Sequence, residues 1–252
     1  MNNPNPTAAI LIIGNEILSG RTQDVNINFI AKRLAVLGIS LAEVRVIPDI
    51  PARIISAVNE LRAAYDELFT TGGIGPTHDD ITSECVAAAF GVPWEPHPAT
   101  WDLLAKHMGS EFNAARQRMA TMPRGAVPIV NPISLAPGFS MANVHVMAGV
   151  PRIMQAMFTA LEPQLRRGEP IAMRAVHGLK LREGSIAAGL AAVQERYQHI
   201  DLGSYPFYRE SGSGVAIVAK GSDVAALESA ISEVGHIIAG EGVLPIAGEP
   251  PL

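Results

Sequence analysis

The chain has 252 residues, 48% hydrophobic and 17% charged, with a formal net charge of −5. That is enough apolar material for one large domain or for a medium and a small one. The negative balance argues against a broad basic surface for nucleic acid, and the single cysteine, Cys85, excludes an internal disulfide framework and a multi-cysteine zinc site.

The N-terminal segment has no basic region and only a short apolar run, so it does not read as a signal peptide. No stretch reaches the roughly 20 apolar residues that span a bilayer. The expectation is a cytoplasmic protein with no membrane and no nucleic-acid partner.

Ala8–Ile13 is an unbroken apolar run, the pattern of a strand buried on both faces, and Gly14 ends it. Ile27, Ile30, Leu34 and Leu37 then recur at helical spacing, and Gly38 supplies a stop. Leu41–Ile47 alternates as a second strand. Pro51 suits the first turn of a helix that carries Ile54, Val58, Leu61 and Tyr65 on one face. Leu68–Thr71 is a short third strand, followed by a glycine loop and a helix through Val86–Phe90. This alternation predicts a layered α/β fold with a largely parallel sheet, whose ligand loops lie at the carboxyl ends of the strands.

The middle of the chain is less regular. Trp101–Met108 and Phe112–Thr121 look helical, and Met122–Phe139, with four prolines, reads as a long ordered loop with little strand. Val144–Ala148 reads as a strand, and Pro151 opens a helix to about Leu161. Arg166–Pro170 looks like a boundary. Beyond it the order is strand (Ile171–Leu181), helix (Ile186 to Tyr197), two strands (Leu202–Tyr208, Gly214–Lys220) and a closing helix (Val224 to Ile238). The expected domains are 1–168, α/β, and 171–252, a small α+β domain.

The chemistry concentrates in Thr70–Thr82, TTGGIGPTHDDIT. Glycines let backbone N–H groups turn toward an anion, and a following helix N-terminus adds partial positive charge. The G-x-x-x-x-G-K-[ST] and G-x-G-x-x-G patterns are both missing. Asp79 and Asp80 follow closely. Carboxylates beside a phosphate call for a cation, and carboxylates with phosphate oxygens are the usual magnesium environment. The same residues read equally as a turn whose Asp80 caps the next helix. Asp49 and Glu16 also follow strands, and Asp49 can be read as a cap for the helix at Pro51. His78 reads as a solvated loop histidine or a metal ligand. Cys85, on an apolar helix, reads as a small buried hydrophobe.

Thr71-Gly72-Gly73-Ile74-Gly75-Pro76-Thr77-His78-Asp79-Asp80-Ile81-Thr82 resembles the hallmark motif of the molybdopterin-binding (molybdenum cofactor biosynthesis) domain. It more closely resembles the version of that motif in the competence/damage-inducible protein A family. Gly14–Gly20, Asp24–Asn28, Asn131-Pro132 with Ala136-Pro137-Gly138-Phe139, and Gly149–Met154 agree with that family in order. The small domain resembles its KH-like middle domain, with Glu183-Gly184-Ser185 and Gly203-Ser204-Tyr205-Pro206 in place. The sequence departs from the family at Ala148, where a proline usually precedes the glycine, and it lacks the C-terminal deamidase domain of longer members, so deamidase activity is not expected.

The resemblance implies a three-layer α/β/α domain with a mostly parallel sheet plus a small α+β domain, assembling as a dimer or trimer. It implies a phosphate or nucleotide site at Thr71, Gly72, Gly73, Gly75, Asn131, Pro137, Gly138 and Gly149, acidic catalytic roles for Asp49 and Asp80, and a divalent metal (magnesium, manganese or cobalt) near Asp80, Asp79 and Glu16. The leading expectation is a metal-dependent pyrophosphate hydrolase acting on an ADP-ribose-like nucleotide. The alternatives are a molybdopterin adenylyltransferase and a non-catalytic nucleotide- or pterin-binding protein.

Overall fold

The computed structural model describes residues 5–209 and 212–251. The chain divides into two compact units, Met1–Gly168 and Glu169–Leu252.

The first unit begins with β1 (Thr7–Ile13), a one-turn α1 (Asn15–Leu18), α2 (Asn26–Val36), β2 (Ser40–Ile47), α3 (Pro51–Ala64) and β3 (Glu67–Thr71). After the glycine loop come α4 (Thr82–Phe90), β4 (Trp94–Pro96), α5 (Pro98–Met108), a short α6 (Ala114–Gln117) and β5 (Thr121–Pro123). It closes with β6 (Val127–Ile129), β7 (Gly138–Met141), β8 (Val144–Met147) and α7 (Pro151–Leu161).

The main sheet runs β2-β1-β3-β8-β7-β6. Its first four strands are parallel and the last two pairings antiparallel. Successive side chains of β1 face opposite ways, as a strand dictates. Ala9, Leu11 and Ile13 pack with Ile54, Val58 and Leu61 of α3 and Val86 of α4. Ala8, Ile10 and Ile12 pack with Ile30 and Leu34 of α2 and with Met154, Phe158 and Leu161 of α7. Both faces are therefore covered, which is why β1 reads as a continuous apolar run rather than an alternation. The arrangement is the three-layer α/β/α fold expected from the sequence.

Two expectations need correction. Met122–Phe139 is no bare loop: β5, β6 and part of β7 lie in it. Its prolines are compatible with strand because β6, which holds Pro128, is the edge of the sheet, where a missing N–H is tolerated. Phe112–Thr121 is helical only over its middle, as α6 continued by a 3-10 turn at Arg118–Ala120. Asn113 takes an extended conformation and its side chain accepts from the Arg116 N–H, so α6 starts anew there and runs only to Gln117.

The second unit holds β9 (Ala172–Leu179), α8 (Glu183–Arg196), β10 (Asp201–Arg209), β11 (Gly212–Gly221), α9 (Val224–Gly240) and the two-residue β12 (Ile246–Ala247). Its antiparallel sheet, ordered β10-β11-β9-β12, shares a core with both helices through Val176, Ile186, Val193, Ile217, Leu227 and Val234.

Gly138 lies against β8 so closely that a Cβ there would sit 2.2 Å from the Val146 carbonyl oxygen. Gly138→Ala should therefore destabilise the first unit by about 1–3 kcal/mol, the usual cost of overpacking, seen as a lowered urea midpoint. An unchanged midpoint would mean that β7 and β8 can part without loss.

Cys85 is 4% exposed, and burial pushes its thiol up to about 11. The thiolate is the reactive form, so at pH 8 the native protein should resist iodoacetamide while the urea-unfolded chain is labelled. Rapid labelling of the native protein would contradict this burial.

Candidate functional site

Three parallel strands, β1, β3 and β8, end side by side, and the loops leaving them are stitched together. The Gly72 N–H donates to the Met147 carbonyl at 3.2 Å. Gly72 and Gly73 both have left-handed backbones, with φ of 101° and 68°. A Cβ at Gly72 would lie 2.2 Å from the Ile13 carbonyl oxygen, and one at Gly73 the same distance from Thr82 Oγ1. Only glycine fits this course. The Thr82 N–H closes the loop onto the Gly73 carbonyl at 2.9 Å. Among the described residues, the N–H groups of Gly73, Ile74 and Gly75 have no acceptor. Successive free N–H groups of this kind form an anion-binding concavity.

Asp80 does not cap α4. The N-cap residue is Ile81, with no side-chain bond. The Asp80 carboxylate instead accepts from the Thr77 N–H at 2.8 Å and lies 2.6 Å from the Thr77 hydroxyl. Asp79 Oδ1 lies 2.5 Å from that same hydroxyl. The bond from Thr77 holds the Asp79 carboxyl below the usual carboxylate range. Asp80 also rests against Gly75: a Cβ there would be 2.6 Å from its Oδ2. His78 is exposed.

Arg118 joins this cluster although nothing in its local sequence marks it. Its guanidinium donates to the Asp80 carbonyl at 3.1 Å, stands 3.8 Å from Glu84, and lies 4.9 Å from the centre of the Trp94 ring. Trp94 is itself held by its Nε1–H, which donates to Ser83 Oγ at 2.9 Å and the Thr121 carbonyl at 3.1 Å. The Arg118 Nε is buried and has no acceptor among the described residues. A guanidinium with an unpaired N–H beside a glycine loop suits an anionic oxygen.

The expected site residues divide between two hollows. Glu16, Thr71, Gly72 and Gly149 line a cleft of about 60 Å³ together with Asp24 and Asn26. Gly75, Asp80 and Pro137 line a crevice of about 10 Å³ with Ser83, Trp94 and Arg118. Asp49 lines neither. It does not cap α3, whose N-cap is Ile50, and its Oδ2 accepts from the Asn15 N–H at 2.8 Å, next to Glu16. Asn131 is engaged within its own loop. Its Nδ2 donates to Ser134 Oγ and the Ala136 carbonyl, and its Oδ1 accepts from the Ile133 and Ser134 N–H groups. Gly138 sits inside the sheet, and Gly149 lets the last loop approach, a Cβ there falling 3.3 Å from Gly72 Cα.

No group of three or more His, Cys, Asp or Glu is placed to cage a metal among the described residues. Glu16 and Asp80, in separate hollows, do not form one ligand set. Asp79 and Asp80 do converge, on Thr77. Such a pair fits an ion of the magnesium type, which binds one or two carboxylates and completes its shell with water and phosphate oxygens. No helix among the described residues is long and apolar enough to cross a membrane.

Known proteins resemble the chain over both of its units. The family described as "Probable molybdopterin binding domain" matches residues 9–167, and the "FAD synthase, middle domain" family matches residues 172–245. A protein of Pyrobaculum calidifontis is 34% identical over 80% of this chain and 81% of its own length. A CinA-like protein of Gloeobacter violaceus is 31% identical over 91% of this chain, which spans 56% of that relative. The crystal structure of the protein CinA from Thermoplasma acidophilum, described as of unknown function, aligns over 64% of this chain and 98% of its own, with a TM-score of 0.60 and 31% identity. The chain belongs to the molybdopterin-binding domain family, within its CinA-like group.

Proposed function

We propose that the first unit binds the phosphate of a nucleotide or pterin on its glycine loop and hydrolyses a nucleotide pyrophosphate of the ADP-ribose type. The observation that carries this reading is the row of unpartnered N–H groups at Gly73, Ile74 and Gly75, on the loop whose Asp79 and Asp80 meet Thr77 and whose Asp80 carbonyl accepts from Arg118. Donors fixed in advance stabilise the charge that gathers on phosphoryl oxygens during displacement. Asp79 and Asp80 would hold a magnesium, manganese or cobalt ion, which would neutralise the same charge. A carboxylate of the loop would orient water. The water oxygen bonds to phosphorus and the bridging P–O bond breaks, giving AMP and ribose 5-phosphate, with one water proton passing to the departing phosphate oxygen and the other released to solvent. The second unit supports hydrolysis over adenylyl transfer, because stand-alone adenylyltransferases of this family usually lack such a domain. That preference is an analogy and not a property of the loop.

The test offers the protein ADP-ribose, FAD, and ATP with molybdopterin, each with magnesium, manganese or cobalt. The expected result is AMP release from ADP-ribose that falls by about 100-fold or more in Asp80→Ala, as for the loss of a group that stabilises the transition state. Adenylylated molybdopterin would favour the transferase, and tight nucleotide binding without any product would favour a binding protein.

Arg118→Gln should lower kcat/KM for the same substrate by about tenfold to 100-fold, the worth of one charge-assisted bond. Arg118→Lys should recover little of it, because an ammonium cannot both stack on Trp94 and present a fork. Unchanged kcat/KM in both variants would confine Arg118 to bracing the loop.

A further inference from the structure

The cleft on the β1 side of the glycine loop has the wrong polarity for a phosphate. Glu16 and Asp24 line it, and no Lys, Arg or His does. Asp24 is fixed there, since its Oδ1 accepts from the Ile27 N–H at 2.9 Å. Asn26 is 4% exposed, and its Nδ2 donates to the Gly149 carbonyl at 2.8 Å. That bond orients the amide, and it leaves Oδ1 buried without a donor among the described residues. A buried acceptor left unpaired is rare and costly, so it calls for a donor. Gly72 marks the divide. Its own N–H is engaged by Met147, while the free N–H groups lie beyond it at Gly73, Ile74 and Gly75.

Glu16 and Asp24 supply acceptors, and the unpaired group beside them is the neutral amide oxygen of Asn26, which a hydrogen-bond donor satisfies directly. The volume of about 60 Å³ is room for several water-sized groups at about 10–15 Å³ each, enough for an amine or a hydroxyl of a ligand.

We propose that this cleft receives a hydrogen-bond-donating, phosphate-free group of the bound nucleotide, an amine of the base or a hydroxyl of the sugar. The nucleotide then lies across the loop, with its donor group at Glu16, Asp24 and Asn26 and its phosphate over Gly73–Gly75. The inference rests on the phosphate reading of the loop and adds the direction in which the ligand lies.

Isothermal titration calorimetry on the full chain tests it, with AMP, IMP and 2′,3′-dideoxyadenosine 5′-monophosphate as probes. IMP lacks the base amine, and the dideoxy compound lacks the sugar hydroxyls. One of the two should bind about tenfold or more weakly than AMP, as expected when a buried acceptor loses its donor. Which one does so identifies the group. Glu16→Gln, which replaces an acceptor by a donor on a half-exposed side chain, should bring AMP down toward the weaker analogue. It should leave inorganic pyrophosphate binding unchanged, whereas Arg118→Gln should weaken pyrophosphate. Equal affinity for all three nucleotides, no binding of AMP, or equal weakening of AMP and pyrophosphate by Glu16→Gln would each overturn the proposal. Discrimination among the nucleotides with no ADP-ribose hydrolysis would uphold it and remove the hydrolase reading.

Discussion

The first unit depends on a close approach at Gly72. Its backbone touches the end of β1 through Ile13 and the end of β8 through Met147. Any side chain there would push the Ile13 carbonyl away, part the strand ends and open the rim on which the loops stand. The left-handed turn at Gly72 and Gly73 then carries the chain across that rim, so that three backbone donors emerge beyond it. The sheet supplies the rigid base, and the missing Cβ atoms allow the turn to sit directly on it.

From that base the site acquires two unlike sides. One holds the free amides, the acidic pair clamped by Thr77, and the guanidinium of Arg118. The other holds Glu16, Asp24 and the orphaned carbonyl of Asn26. A ligand with one anionic end and one donor end is matched to this asymmetry. The membership of the chain among molybdopterin-binding domains agrees with such a ligand.

Much of this was legible in the sequence, for identifiable reasons. β1 announces itself because both its faces are buried, and the glycines announce the turn because a Cβ at Gly72 or Gly73 would clash with Ile13 or Thr82. Asp80 could not be resolved in advance. Its position before α4 fits a helix cap, and only the Thr77 contacts show that it does something else. Arg118 was invisible for a different reason. It reaches the loop by folding of the segment between α5 and β5, where Asn113 interrupts the helical pattern, and no local spacing encodes that path. Asn131 shows the converse case. Its motif stood out, yet its hydrogen bonds all serve the loop that contains it. The division of Glu16 from Asp80 needed three dimensions, because both follow strands of the same sheet.

The Thr77 hydroxyl has one hydrogen and two carboxylates within bonding distance of its oxygen. It can satisfy one of them at a time. The loop at rest is therefore electrostatically frustrated, with one acidic oxygen always facing another oxygen without a proton between them. The cation proposed for this point would remove that repulsion as well as gain contacts.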